Sequence, residues 1–141
     1  MPEKESTDPL EDIEVKITIR FERKAGVIFG QGRYQLLTEI EKHGSLQQAA
    51  KKIGMSYRAA WGKIKNSEKI LGEKLIEKET NKEGYNLTAL GKVLKEKFHQ
   101  YTVETEAFAK EKFSREFEFL KKNNFKIIYF SLLFDQLCCY L

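Results

Sequence analysis

Apolar and polar residues alternate near the start of the chain. Every second residue of segment 15–21 is apolar, and this period of two predicts a β-strand with one buried face. Residues 24–26 supply a turn, and the apolar residues 27–29 can return beside the first strand. The pattern therefore predicts an N-terminal β-hairpin that Gly30 and Gly32 end.

After the hairpin the apolar period changes to that of an α-helix. The apolar residues between positions 33 and 43 share one face, and Gly44 stands where a left-handed cap would end the helix. Ser45 and Gln48 then have the spacing of a capping box, in which the serine hydroxyl accepts the Gln48 amide proton. A second helix is therefore predicted to begin one residue after the first ends.

This second helix is short and leads directly to a third. Gly54 ends it after about two turns, and Ser56 is spaced to serve as the N-cap of the third helix. The apolar residues of the third helix recur on one side, as expected for a helix that packs on a core. They are Tyr57, Ala60, Trp61, Ile64 and Leu71.

A second hairpin and a long helix follow. Segments 75–79 and 85–87, joined by the polar turn 81–84, predict two short strands. Thr88 can cap a helix that runs to about Lys122, on which apolar residues recur at steps of four and three. An amphipathic helix of this length needs a partner to bury its apolar face, so it is predicted to mediate dimerisation. The predicted interface residues are Leu94, Phe98, Tyr101, Phe108, Phe113 and Phe117.

The predicted fold class is mainly α with small β-hairpins, arranged as a winged helix-turn-helix with a long C-terminal dimerisation helix. We divide the chain into four parts. Residues 1–13 form an acidic arm, 14–87 the winged helix-turn-helix, 88–122 the dimerisation helix, and 123–141 an apolar tail whose role the pattern leaves open.

Charge is distributed unevenly along the sequence. The 141 residues carry a net charge of +4, but the first 14 contain six acids and one lysine, which leaves +9 on the remainder. A basic domain favours a polyanionic partner, and the acidic arm is predicted to be disordered. The N-terminus shows no apolar signal segment, so a cytoplasmic location is expected. Cys138 and Cys139 match no metal-ligand spacing and are interpreted as reduced thiols.

The second helix of a helix-turn-helix pair enters the DNA major groove, so the third helix of this chain is the predicted recognition helix. Arg58, on its outward face, can bind guanine O6 and N7 together and thereby select a base. Lys63 and Lys65 are predicted to bind phosphates, while Ala59 and Gly62 permit close approach to the groove. The full predicted set for double-stranded DNA is Ser45, Gln48, Ser56, Tyr57, Arg58, Ala59, Gly62, Lys63, Lys65, Lys78, Asn81 and Lys82.

Two stretches of the helix-turn-helix are distinctive, GSLQQAA at residues 44–50 and GMSYRAAW at residues 54–61. They resemble the N-terminal DNA-binding domain of the ModE-type molybdate-responsive regulators. The resemblance continues upstream in residues 29–33 and downstream in residues 71–78 and 87–91. The more distant LysR-type winged domains share the same skeleton.

The resemblance implies a homodimer whose long helices pair and present two recognition helices to successive major grooves of a palindromic operator. The wing of the family commonly carries a glycine-rich loop, whereas here only Gly84 stands between Thr80 and Thr88, which leaves contacts by Asn81 and Lys82 open. The chain ends about where the family's oxyanion-binding domain would begin. We therefore expect no cofactor and no small-molecule effector within this chain.

One alternative function remains open. The long helix and the apolar tail could bind a protein partner, with DNA binding secondary or lost. The tail is interrupted by Lys126 and Asp135 and falls short of the roughly 20 residues of a spanning helix, so no membrane contact is expected. An enzyme is not expected either, because the sequence offers no nucleophile–base pair, metal-ligand set or phosphate-binding loop.

Overall fold

The computed structural model of the chain describes residues 13–80 and 83–121. Most of the predicted acidic arm, the wing residues Asn81 and Lys82, and the tail with Cys138 and Cys139 lie outside the described residues. The chain divides into two compact units. One is Ile17–Glu104, and the other contains the described residues 13–16 and 105–121.

The N-terminal hairpin is present but shorter than predicted. Strand β1, Arg20–Arg23, pairs antiparallel with β2, Gly26–Gly30, and a register shift interrupts the pairing after Phe21. The prediction of a strand over residues 15–21 is therefore wrong for residues 15–19. Arg20 already pairs with Gly30, which is the last residue of β2, because helix α1 begins at Gln31. The residues before Arg20 therefore have no positions on β2 with which to pair.

Three helices follow with the predicted order and caps. Helix α1, Gln31–His43, begins two residues earlier than expected and ends at Gly44, whose φ of 63° is left-handed. Helix α2, Leu46–Lys52, is capped by Ser45, whose hydroxyl accepts the Gln48 N–H at 3.3 Å. Helix α3, Tyr57–Leu71, ends at Gly72 with φ 78°. Gly44 and Gly72 adopt a backbone region that other residues rarely enter, which explains why α1 and α3 end there, whereas α2 ends at Ile53 with a φ of −96°.

The second hairpin and the long helix complete the winged helix-turn-helix. Strand β3, Ile76–Lys78, pairs antiparallel with β4, Tyr85–Leu87. Helix α4 spans Ala89–Glu116, and the Thr88 hydroxyl accepts the N–H of Gly91 at its start. The structure confirms the predicted fold class, mainly α with two small hairpins and a long C-terminal helix.

The helix predicted to run unbroken to Lys122 is interrupted at Phe117, and a short helix α5, Glu118–Lys121, follows. The Leu120 N–H bonds the Phe117 carbonyl, a three-residue step in place of four. The Phe117 ring contacts Phe113 at 5.0 Å and Phe119 at 6.0 Å between ring centroids. Residues two apart point to different sides of a continuous helix, so the contact with Phe119 is compatible with a break there.

The core of the unit Ile17–Glu104 lies where the three short helices meet the wing and α4. Phe98 of α4 is at its centre and is 2% exposed. Its ring makes edge-on contacts with Phe21 at 5.4 Å and Phe29 at 5.1 Å, and it lies 5.9 Å from Tyr34. The part of α4 up to Glu104 is therefore part of the fold of this unit. Fully buried partners include Leu36, Leu37, Ile40, Leu46, Ala49, Ala60, Ile64 and Leu75.

Among the described residues, no helix combines the length and the apolar character required to cross a lipid bilayer.

Candidate nucleic-acid interface

The first half of α3 presents a polar, small-residue surface. The Ser56 hydroxyl accepts the Ala59 N–H at 3.2 Å, so the helix begins as predicted. Arg58, Ala59 and Gly62 are exposed, whereas Ala60 on the opposite side has no exposed surface. Arg58 has no hydrogen-bond or ion-pair partner within residues 13–80 and 83–121. Its guanidinium is available to a ligand, and the neighbouring small residues leave room for one.

Arg33 of α1 forms hydrogen bonds with two residues of α3. Its Nε donates to the Ser67 hydroxyl at 2.5 Å and to the Lys63 carbonyl at 3.3 Å. Ser67 is fully buried and donates in turn to the same carbonyl at 3.1 Å. Burial lowers the pKa of the Arg33 guanidinium, yet its ordinary value is so high that the group stays charged at neutral pH. These bonds fix the rotation of α3 relative to α1.

The two lysines predicted to bind phosphates differ in placement. Lys63 is half-buried, and its carbonyl accepts from Arg33. The Lys65 ammonium lies 2.6 Å from the Glu68 carboxylate and 4.4 Å from the centre of the Trp61 ring. Lys65 is thus engaged by two groups of its own helix, while 39% of its side chain stays exposed, and its contact with a phosphate remains a prediction. Tyr57, placed by the sequence on the inward face, is 47% exposed.

The start of α2 lies beside the wing. Ser45 caps α2, Gln48 is exposed, and both belong to the predicted set. The Tyr85 N–H donates to the Gly44 carbonyl at 2.9 Å, which ties strand β4 to the turn between α1 and α2. The wing is therefore held against the helix-turn-helix by main-chain contact.

An open cleft of ≈ 590 Å³ separates the start of α2 from the wing. Partial burial, and then the neighbouring Tyr85 hydroxyl, raises the pKa of Tyr57, while Lys78 opposes the shift. The Tyr57 hydroxyl therefore stays protonated at neutral pH and can donate a hydrogen bond. The exposed Lys78 brings positive charge and the exposed Glu83 negative charge. The lining residues are Ser45, Leu46, Gln47, Tyr57, Lys78, Glu83, Gly84 and Tyr85.

The residues predicted to form a dimer interface fall into three groups. Phe98 is a core residue, so its side chain has no surface to offer a partner, and its assignment to the interface is wrong. Leu94 packs against the same core and is half-buried. Exposed aromatic surface remains on Tyr101 at 52%, Phe108 at 63% and Phe117 at 43%. Phe113 is half-buried and stacks on Phe117.

Comparison with known proteins identifies the segment that carries this geometry. Residues 32–92 match the bacterial regulatory helix-turn-helix proteins of the LysR family. This match covers 61 of the 141 residues of the chain. Transcriptional regulator ModE of Haemophilus influenzae is 32% identical to the chain over 81 residues, which confirms the resemblance to ModE-type regulators. The aligned segment covers 57% of this chain and 31% of that regulator, so the chain spans well under half the relative's length.

The segment matched by the LysR-family model contains every described residue of the predicted DNA-binding set. It extends from the start of α1 through the wing to the first turn of α4. The matched family consists of bacterial regulatory helix-turn-helix proteins, and the matched relative is a transcriptional regulator. Asn81 and Lys82 belong to the matched segment but lie outside the described residues, so their contacts remain predictions.

Three residues of the matched segment that position this surface do not belong to the set predicted from the sequence. Arg33 and Glu68 are charged residues with little exposure, and Tyr85 lines the cleft. Tyr85 could have been noticed, because it begins the second predicted strand of the wing beside Gly84. Glu68 lies four residues after Ile64, on the side that faces the core, and an acid at such a position signals a buried partner.

The two histidines of the chain have ordinary protein partners. His43 lies 3.1 Å from the Glu39 carboxylate, and His99 lies 3.2 Å from the Tyr34 hydroxyl. In the part of the chain that the structure describes, no three His, Cys, Asp or Glu side chains are grouped as a metal site.

Proposed function

We propose that the chain is a cytoplasmic transcriptional regulator that binds double-stranded DNA sequence-specifically as a homodimer. The observation that carries this proposal is the exposed first half of α3, where an unengaged Arg58 stands beside Ala59 and Gly62. A single helix fits the major groove, and small residues at the contact allow its backbone to approach the bases. We propose a binding role and no catalytic one, because both matched groups are regulators.

In this proposal Arg58 reads sequence by donating to guanine O6 and N7. The other polar residues position the protein on the sugar-phosphate backbone. Ser45 and Gln48 offer the first turn of α2 to one phosphate, and Lys63 contacts another. Lys78 reaches a phosphate from the wing, with Asn81 and Lys82 as further proposed contacts.

Dimerisation is proposed through the exposed aromatic residues of α4 and the segment after it. Tyr101, Phe108 and Phe117 each keep between two fifths and two thirds of their surface exposed. Large exposed aromatic side chains favour association with another surface. A symmetric dimer would place two recognition helices on inverted half-sites separated by about 34–36 Å, or by a small multiple of that distance.

The proposal is tested by selecting duplexes from a random-sequence pool with the wild-type chain and footprinting the chain on the enriched duplexes. Arg58→Ala should relax the preference at one base position in each half-site, which corresponds to about 1–3 kcal/mol of discrimination. Lys63→Ala should weaken binding to all duplexes alike and flatten the dependence of log affinity on log salt concentration by about one unit. No enrichment and no protected site at moderate salt would contradict DNA binding.

The dimer is tested by light scattering of the full chain. We expect the mass of two chains for the wild type, and a shift towards one chain for Phe108→Glu, because a carboxylate at the contact must lose its hydration. Ala107→Glu introduces the same carboxylate at an exposed position of the same helix that does not share the face of Phe108, so this matched control should remain dimeric. A wild-type chain that is monomeric at all concentrations would contradict the proposal.

A further inference from the structure

The second half of α3 contains a carboxylate, Glu68, that is 8% exposed. Its Oε1 accepts hydrogen bonds from the backbone N–H groups of Leu75 at 2.9 Å and Ile76 at 3.2 Å. Its Oε2 accepts from the Lys65 ammonium at 2.6 Å. Burial raises the pKa of the Glu68 carboxyl, but these hydrogen bonds outweigh burial and leave the pKa below its ordinary value. The carboxylate is therefore ionised at neutral pH and matched by three donors.

A buried ion pair is a poor way to stabilise a fold, since apolar residues of similar volume often serve as well or better. Glu68 instead fixes the orientation of the backbone at the start of β3, because one of its oxygens accepts hydrogen bonds from two successive backbone amides. These amides belong to Leu75, which precedes β3, and to Ile76, its first residue. Lys78 follows on the same strand. Glu68 thus fixes the strand that carries Lys78 to the helix that carries Arg58.

The other contacts of the wing reach different elements. Strand β4 is tied to the turn between α1 and α2 by the bond from the Tyr85 N–H to the Gly44 carbonyl. The Leu75 carbonyl accepts the Thr88 N–H at 3.0 Å, which ties the start of β3 to the start of α4. A ring contact of 5.9 Å between Trp61 and Tyr85 joins α3 to β4. Of these attachments, only the Glu68 bonds run from the backbone of β3 to α3 within the described residues.

We propose that Glu68 is a positioning residue for DNA binding, which holds β3 on the recognition helix so that Lys78 and Arg58 meet the DNA at a fixed separation. The inference rests on the proposed function. It assigns Glu68 no contact with DNA. Its effect passes through Lys78, so loss of Glu68 should cancel the contribution of Lys78 and leave that of Arg58.

A double-mutant cycle tests this coupling. The probe is a fluorescent duplex that the wild-type chain selects from a random-sequence pool, and affinity is followed by anisotropy at several salt concentrations. In the wild-type background, Lys78→Ala should flatten the salt dependence by about one unit. In the Glu68→Ala background the same change should leave the slope unaltered, because Lys78 no longer reaches its phosphate. Arg58→Ala should relax base preference in both backgrounds.

Two further variants separate positioning from general weakening of the fold. Glu68→Gln keeps an oxygen that can accept both amides, so the effect of Lys78→Ala should return. Glu41→Ala is the matched control, because the carboxylate of Glu41 pairs with Lys95 of α4 and not with a residue of β3. There the effect of Lys78→Ala should equal that in the wild type. Amide exchange gives an independent readout, since the Leu75 and Ile76 N–H groups should exchange faster in Glu68→Ala.

Additive effects of Glu68→Ala and Lys78→Ala would overturn the inference and leave the proposed function intact. A Lys78→Ala change without effect in the wild-type background would overturn it as well. A wild-type chain that selects no duplex would instead contradict the proposed function. Should Glu68→Ala fail to fold, Glu68→Leu, which keeps the volume and removes the acceptor, takes its place and is judged by the same outcomes.

Discussion

The two halves of α3 differ in exposure and in their intramolecular contacts. Residues 57–63 are largely exposed, and their most polar member, Arg58, has no partner within the described residues. Residues 64–71 include Ile64, Ser67 and Glu68, all buried. Arg33 holds this half from α1, and Glu68 connects it to the backbone of β3. The surface proposed to read DNA is thus left free, and its placement comes from the half that follows it.

This division has a physical reason. A side chain that must bind a ligand cannot have all its donors occupied by intramolecular hydrogen bonds. The first half of α3, which is proposed to contact DNA, can therefore add little to the stability of the fold. Burial of apolar surface and satisfied buried polar groups are what stabilise a fold, and both are concentrated in the second half. Truncation of buried side chains in the second half should therefore mainly lower stability, whereas changes of exposed residues in the first half should mainly alter binding.

The largest effect is expected from Ile64→Ala. Ile64 has no exposed surface, and its truncation should lower the free energy of unfolding by about 2–5 kcal/mol, through lost burial and the cavity left behind. Denaturant unfolding measures the change. Ile70→Ala is the control on the same helix, because Ile70 is only half-buried and should cost clearly less. An equal or larger loss for Ile70→Ala would contradict the division proposed for α3.

A smaller loss is expected from Ser67→Ala. The change removes the hydroxyl that accepts from Arg33 and leaves the buried guanidinium with the Lys63 carbonyl as its remaining described acceptor. The free energy of unfolding should fall by about 1–3 kcal/mol. Ser114→Ala, at an exposed position of α4, should stay within about 0.5 kcal/mol of the wild type. If the two serine variants unfolded alike, the Arg33 bond would not be what holds α3.

The sequence predicted features that depend on neighbouring residues. Helices begin at the hydrogen-bonding caps Ser45 and Ser56 and end at the left-handed glycines Gly44 and Gly72. Each of these caps depends on residues only a few positions away, so a local pattern is enough to identify it. The fold class followed from their order. The alternation over residues 15–21 showed which side chains are half-buried, but a period of two does not reveal whether a partner strand extends far enough to pair.

Features that depend on distant contacts were not predictable in the same way. Arg33 and Ser67 are 34 residues apart, and nothing local indicates their bond. An apolar stripe on a helix does not distinguish the protomer's own core from a partner, which is why Phe98 was assigned to a dimer interface. The helical position of Lys65 gives the direction of its Cβ, whereas its long side chain folds back to Glu68 and Trp61.

The smallest effect is expected from Gly62→Ala. This variant separates the contribution of the first half of α3 to stability from its contribution to DNA binding. A Cβ at Gly62 would meet nothing within 4 Å, so alanine should raise the free energy of unfolding by about 0.5–1 kcal/mol through reduced backbone entropy of the unfolded chain. The added methyl should nonetheless weaken binding to the selected duplex, because it stands where the helix approaches the groove. Gly32→Ala, equally unobstructed on α1, should leave binding unchanged. Equal affinities for both variants would place the DNA away from Gly62.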